Sequence, residues 1–306
     1  MSAGVTGVHR RWPASVRQLI LTCVLASCAG AWAAEPSVRY LPPAPVFPSD
    51  AARAGESGAG EGPDVLLIVF SGRCAIRSCT PPDENFDALA QRLVPAVVGA
   101  WRAAGLTVEA WTYRSHVDDH PERGRGFLSA VSDLRNAVLN GILRPGTRTR
   151  AVVVGYSHGT QFAHLLAFEH PQVPFAASVL LDSICLGWDG DHAARLVEAL
   201  APGVGVWADR GPYRVGCDVL EVPDVGSRLD LGDVVPWNVA RSLEVRSGGQ
   251  LAGVVRDVRD NVRPDGSADG LEIVRLPAMH HQESDEPQGP SFDAWTVWVL
   301  EVLTDR

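Results

Sequence analysis

Thr149-Arg150-Ala151-Val152-Val153-Val154-Gly155-Tyr156-Ser157-His158-Gly159-Thr160-Gln161-Phe162-Ala163 carries three signals in fifteen residues. An apolar, β-branched run from Ala151 to Val154 reads as a buried strand. It enters a Gly-x-Ser-x-Gly segment at Gly155, and Phe162, Leu165 and Leu166 then recur at helical spacing. A strand that turns directly into a helix leaves little room at the corner. Gly155 and Gly159 relieve that crowding while the Ser157 hydroxyl is held up as a candidate nucleophile. The new helix aims its positive N-terminal end at the same point, where it favours developing negative charge. The bland reading is a Gly-rich turn, since the five-residue pattern occurs by chance; the strand before it and the helix after it argue for chemistry.

Outward from this segment, short β-branched runs alternate with helical stretches, the pattern of an α/β fold with a mostly parallel central sheet covered by helices. Strands are expected at Val65–Phe70, Thr107–Trp111, Ala151–Val154, Ser178–Leu181 and Leu271–Leu276. Phe86, Leu89, Ala90, Leu93 and Val97 form one helical stripe, with Pro95 expected to kink or end it. Phe127, Val131, Leu134, Val138 and Ile142 form a second stripe, and Leu251, Val254, Val255, Val258 and Val262 a third. Ser291 is the expected N-cap of a terminal helix carrying Phe292, Trp295, Val299 and Val302 on one face. Residues 184–231, rich in Gly and Pro and containing Trp188, Trp207 and Tyr213, exceed a simple crossover and read as an inserted cap-like segment.

With the strand, the elbow and the order of elements in view, the chain resembles the α/β-hydrolase superfamily, in particular its lipase-like and esterase-like members. The resemblance spans roughly residues 65–303 in order of elements and rests on three short segments. It implies a nucleophile, then an acid, then a histidine along the chain. Gly232-Asp233-Val234-Val235-Pro236 resembles the Asp-x-Val-Pro segment that follows a late strand in many lipases, which implies Asp233 as the triad acid. Asp182, at the end of Leu180-Leu181-Asp182-Ser183, is its first rival, with Asp224 and Asp230 behind. The base is His281 or His280, in Pro277-Ala278-Met279-His280-His281 directly after the last strand, and counting from the proline favours His281. The oxyanion hole implied by the family takes the His158 N–H and, from Ser71-Gly72-Arg73-Cys74, the Arg73 N–H; Ser71-Gly72 stands where many members have His-Gly. His116 and His120 lie in an acidic stretch after the second strand, from which they could face the mouth of a pocket, and the default reading of His164 and His170 is packing or solvent exposure.

These residues imply a serine ester hydrolase, a carboxylesterase or lipase-like enzyme working through an acyl-enzyme, with a small-molecule or lipid ester as substrate and no cofactor or metal. An acyltransferase or peptidase would use the same triad, and a binding protein could keep the fold without the chemistry.

The 306-residue chain is 46% hydrophobic and 21% charged, which allows a large buried core. Its formal charge of −9 gives a nucleic-acid partner no electrostatic support. Residues 1–34 read as an export leader, with Arg10, Arg11 and Arg17 ahead of the short apolar run Leu19–Leu25. Two cleavage sites compete: Leu25-Ala26-Ser27-Cys28 resembles a lipoprotein lipobox, making Cys28 a lipidated membrane attachment, and Ala31-Trp32-Ala33 fits ordinary signal peptidase. An exported protein is expected, whether periplasmic, outer-membrane lipid-anchored or secreted. Residues 35–63, rich in Pro, Gly and Ala, read as a linker to a domain at 64–306. Cys74, Cys79, Cys185 and Cys217 are an even set in an exported chain; sequence proximity favours pairing Cys74 with Cys79 and Cys185 with Cys217.

Overall fold

Six short segments find their place in one parallel sheet, whose central strands β1, β3 and β4 are apolar enough to be covered on both faces. In a computed structural model, the strands are β1 (Val65–Phe70), β2 (Val108–Tyr113), β3 (Arg150–Tyr156), β4 (Phe175–Leu181), β7 (Val239–Ser247) and β8 (Leu271–Leu276), in the order β2-β1-β3-β4-β7-β8. All five pairings are parallel. Two three-residue strands, β5 (Val219–Glu221) and β6 (Arg228–Asp230), form a separate antiparallel pair within the expected cap. The structure describes residues 62–72, 89–120, 124–143, 146–184, 192, 195–196, 198–199, 219–221, 228–230, 233–248 and 260–304. The leader, nearly all of the linker, Cys28, Arg73, Cys74, Cys79, Cys185, Cys217, Asp224 and most of the cap lie outside the described residues.

Each face of the sheet has its own core. Leu66, Ile68, Phe70, Ala151, Val153 and Leu180 pack beneath α2 (Phe127–Leu139) and α3 (Gly159–Glu169). Val65, Leu67, Val69, Val152, Val154 and Leu181 face α1 (Val94–Ala103) and α4 (Pro290–Thr304). The alternation along β1 and β3 is the period-two pleat of a strand buried on both sides. β8 is the opposite case: as an edge strand it is half-exposed and carries Glu272 and Arg275, charges that discourage further strand addition.

The five strands expected from the sequence are present, most of them longer than anticipated. β7 was not anticipated, because Val-Ala-Arg-Ser-Leu-Glu-Val-Arg-Ser is half polar. Its polar residues are buried in pairs: Ser242 Oγ meets Ser178 Oγ at 2.7 Å, and Arg246 donates to both oxygens of Glu244 at 2.7 and 2.8 Å. Polar groups that satisfy one another can be buried at little net cost, so hydrophobicity alone under-reads such a strand. Pro95 does not end its helix; a π-helical turn over Leu89–Leu93 leads directly into α1 and the proline falls in the first turn of α1, just past the change from π to α geometry. Ser291 lies just inside α4 and donates from Oγ to the Ser284 carbonyl at 2.8 Å. Residues 251–259 of the third expected stripe lie outside the described residues, and Val262 forms a parallel bridge with Val234.

The order of strands positions a site. From β1 the chain moves to β2 on one side, then returns across β1 to β3 on the other. The loops after β1 and β3 therefore leave the sheet in opposite directions and open a crevice beyond its carboxyl edge. Ser71-Gly72 and Ser157 occupy those two loops.

Candidate active site

Ser157 sits at the corner between β3 and α3 with φ of 53°, a left-handed conformation that costs a non-glycine residue free energy. The surroundings enforce it. A Cβ on Gly155 would lie 2.5 Å from Thr160 Cα, and one on Gly159 would lie 2.3 Å from the Ser71 carbonyl oxygen and 2.6 Å from that of Phe70. Only glycine lets α3 begin this close to β3 and to the end of β1. The corner is further tied by the Ser157 N–H to the Leu181 carbonyl at 2.9 Å, and by the Thr160 hydroxyl to the Ser157 carbonyl at 2.7 Å.

The neighbouring strand supplies a carboxylate. Asp182 follows β4 directly, is fully buried, and shares the left-handed geometry with φ of 50°. Its Oδ1 accepts the Ser247 N–H at 2.8 Å, and its Oδ2 accepts the Ser247 hydroxyl at 2.8 Å. Oδ2 also lies 2.6 Å from His281 Nδ1. Burial works to raise the Asp182 pKa, but hydrogen bonds from His281 and Ser247 outweigh it, so the group is held below the usual carboxylate value. A carboxylate so fixed keeps the proton of the neutral imidazole on Nδ1 and leaves Nε2 as the acceptor.

His281 completes the set. It opens a short 3₁₀ turn, His281–Glu283, after β8, and its Nε2 lies 3.1 Å from Ser157 Oγ. Residues 124 positions apart meet because β3 and β8 both deliver their following loops to the carboxyl edge of one parallel sheet. His280 is the exposed N-cap of the same turn: its N–H donates to Glu283 Oε2 at 2.7 Å, and its carbonyl receives the Glu283 N–H at 3.0 Å. It is a structural residue of the loop, and of the two adjacent histidines His281 is the one facing Ser157.

Asp233, the acid expected from the lipase-like segment, is not the partner of His281. It precedes β7 and follows only β6 of the separate antiparallel pair, not a strand of the parallel sheet, and the first residue of β7, Val239, pairs with the first residue of β4, Phe175. The stretch after Asp233 runs along α3: the Val234 carbonyl meets His164 Nδ1 at 3.1 Å, and Asn238 donates to the carbonyls of Ala167, His170 and Val173. Asp233 is buried there and its carbonyl accepts the Val262 N–H. Topology overrides the local motif, since the carboxyl edge is reached only by residues that follow a parallel strand. Asp182 satisfies that condition one strand away from Ser157.

His158 is buried at the start of α3, beside Ser157. Ser71 and Gly72 approach from β1, and a Cβ on Gly72 would lie 2.9 Å from Ser157 Cβ. The expected donor loop is thus adjacent to Ser157, with Arg73 outside the described residues. Two contributors had no sequence signal: Ser247, because β7 was not recognised as a strand, and Tyr156, which occupies a variable position of the glycine motif. No group of three or more His, Cys, Asp or Glu with metal-binding geometry occurs among the described residues. No described helix is long and apolar enough to cross a membrane.

No family model matches the chain, and no curated protein matches it. Among solved structures, it is similar to the thioesterase RedJ from the prodiginine pathway of Streptomyces coelicolor, with TM-score 0.42 and 13% identity over 87% of this chain and 98% of that one. It is also similar to Est1E from Butyrivibrio proteoclasticus, with TM-score 0.36 and 14% identity over 80% and 90% of the two chains. A monoacylglycerol lipase from Paleococcus ferrophilus gives TM-score 0.38 and 12% identity over 79% and 95%.

Proposed function

We propose that the chain is a serine ester hydrolase acting through an acyl-enzyme, with Ser157 as nucleophile, His281 as general base and Asp182 as the acid that orients it. The observation that carries this reading is the continuous relay from Ser157 Oγ to His281 Nε2 at 3.1 Å and from His281 Nδ1 to Asp182 Oδ2 at 2.6 Å. In the first half-reaction, His281 Nε2 takes the Ser157 proton as Oγ adds to the ester carbonyl. Asp182 stabilises the imidazolium that forms, and that imidazolium then returns the proton to the departing alkoxide. In the second half, water loses its proton to His281, attacks the acyl carbon and releases the acid with Ser157 restored.

The oxyanion formed in each half is assigned to the His158 N–H, at the first turn of the 11-residue α3, and to the N–H of Arg73. An amine is a poorer leaving group than an alkoxide and depends more on protonation by the imidazolium, so ester cleavage asks least of this set. The membrane attachment through Cys28 and the exported location belong to the same proposal and rest on the leader alone.

The test is labelling by a fluorophosphonate together with hydrolysis of p-nitrophenyl esters of graded chain length, on the wild type and on Ser157→Ala. Labelling and hydrolysis that both vanish in Ser157→Ala support the reading. A wild type that neither labels nor cleaves any ester overturns it. Product analysis with an added alcohol separates hydrolysis from acyl transfer.

A further inference from the structure

Tyr156 immediately precedes Ser157 in the elbow and is almost wholly buried. Its ring lies against the His281 imidazole with centroids 5.1 Å apart and planes inclined by 24°, a stacked arrangement. Its hydroxyl donates to the backbone carbonyl of the same residue at 3.1 Å. One side chain therefore holds His281 at both its ring and its main chain, while its own backbone adjoins the nucleophile. On another side, a Cβ at Gly72 would come within 2.7 and 2.8 Å of Tyr156 Cδ1 and Cε1, so the ring is also fixed by the loop after β1.

We infer that Tyr156 is a positioning residue for the base: it couples the elbow to the histidine loop and sets the distance between Ser157 Oγ and His281 Nε2. The two reacting atoms belong to loops separated by 124 residues, and the loop bearing His281 has its own internal supports in Glu283 and Ser291. Those supports fix the loop to itself and to α4. Tyr156 is the side chain that fixes it to the residue beside the nucleophile. The phenol stays protonated and keeps donating, because burial and the carboxylates of Asp285, Asp182 and Glu286 push its pKa well above the usual tyrosine value. Tyr156 touches neither the substrate carbonyl nor a transferred proton in this scheme. Its effect is exerted through His281.

The inference rests on the triad reading above, and two variants with two independent readouts keep the two apart. Tyr156→Phe removes only the hydroxyl, and Tyr156→Leu removes the stacked ring as well. Loss of one hydrogen bond to a backbone carbonyl, and displacement of the base by a fraction of an ångström, lowers kcat about tenfold in Tyr156→Phe and about a hundredfold in Tyr156→Leu, with KM unchanged. The second readout is the downfield proton resonance of His281 Nδ1–H, identified by its loss in Asp182→Asn, which shifts or broadens in Tyr156→Phe. A merely structural tyrosine would lower Tm while leaving kcat of the folded protein and that resonance in place. If the wild type is labelled by the fluorophosphonate and both variants keep kcat within about twofold with the resonance unmoved, the inference is overturned. If the wild type is not labelled, the hydrolase reading fails, and the resonance decides the positioning role alone: moved in Tyr156→Phe it stands, unmoved it falls.

Discussion

Asp182→Asn separates the hydrogen-bond network from the chemistry it serves. In the native site, Oδ1 accepts the Ser247 N–H, and Oδ2 accepts both the Ser247 hydroxyl and the His281 Nδ1–H. An asparagine has one orientation that satisfies every neighbour. Its carbonyl oxygen takes the place of Oδ1 opposite the Ser247 N–H, and its amide nitrogen takes the place of Oδ2. There it donates to the Ser247 hydroxyl, which can rotate to accept, and to His281 Nδ1, which must then be unprotonated. The imidazole is forced into the tautomer with the proton on Nε2, facing Ser157, where it cannot act as a base. Returning the proton to Nδ1 sets two buried donors against each other at about 1–3 kcal/mol, and the imidazolium loses a charge-assisted hydrogen bond worth about 1.5–3 kcal/mol. Together these raise the barrier by about 3–6 kcal/mol, a fall in kcat/KM of about two to four orders of magnitude.

The assay is kcat/KM for the best p-nitrophenyl ester, with urea unfolding in parallel; the variant should unfold close to the wild type because no buried group is left unpaired. Asp233→Asn is the companion measurement and should leave kcat/KM within about twofold once the protein is folded. Asp182 is not the acid that orients His281 if Asp182→Asn keeps more than a tenth of the wild-type kcat/KM, and Asp233 takes its place if Asp233→Asn loses it.

Three further expectations follow from packing and burial. Gly159→Ala would push a methyl into the Ser71 and Phe70 carbonyls, so α3 must back away from β1; a loss of about 2–4 kcal/mol in urea unfolding and of most fluorophosphonate labelling is expected, and wild-type stability would show that the contact can relax. Burial pushes His170 down to about 4. Its neutral form belongs to the folded state, so the stability it allows is complete above pH 6.5 and is lost as pH falls towards 4, by up to about 3 kcal/mol; His170→Gln should flatten the unfolding free energy across that window. Asp285 is raised to about 7, by burial first and by the Glu286 carboxylate second, so the sign reverses: stability is complete below about pH 4 and is lost as pH rises to 7, by up to about 4 kcal/mol. Asp285→Asn should remove that slope, and an unchanged slope would place the titration elsewhere.

The residues legible in the sequence are those whose neighbours along the chain share their function. Ser157 was legible because strand, glycine pair and helix are contiguous, and His281 because it closely follows a recognisable strand. Asp182 was visible only as a rival, since its qualification is relational: it follows β4, which pairs with β3, and no local pattern encodes that pairing. The motif around Asp233 pointed elsewhere because a local resemblance carries no information about which edge of the sheet a loop reaches. β7 was hidden by Ser242, Glu244 and Arg246, whose burial depends on polar pairing rather than on hydrophobicity. Ser247 was lost with it.

Ser157 and Asp182 are the two non-glycine residues with positive φ among the described residues, and both immediately follow adjacent parallel strands. The strain has a common origin. Each residue must stop running with its strand, turn its side chain towards a point beyond the carboxyl edge, and still leave its backbone N–H bonded to the neighbouring strand. Ser157 N–H reaches Leu181 on β4, and Asp182 N–H reaches Val245 on β7 at 2.7 Å. The ladder thus extends one residue beyond each strand on the N–H side while the side chain is released from the pleat. A sheet stiffened by two covered faces can hold two such residues at about 1–3 kcal/mol each. In an exposed edge strand such as β8 the same geometry would relax, which is why its contribution, His281, comes from a separate turn five residues beyond the strand, with supports of its own.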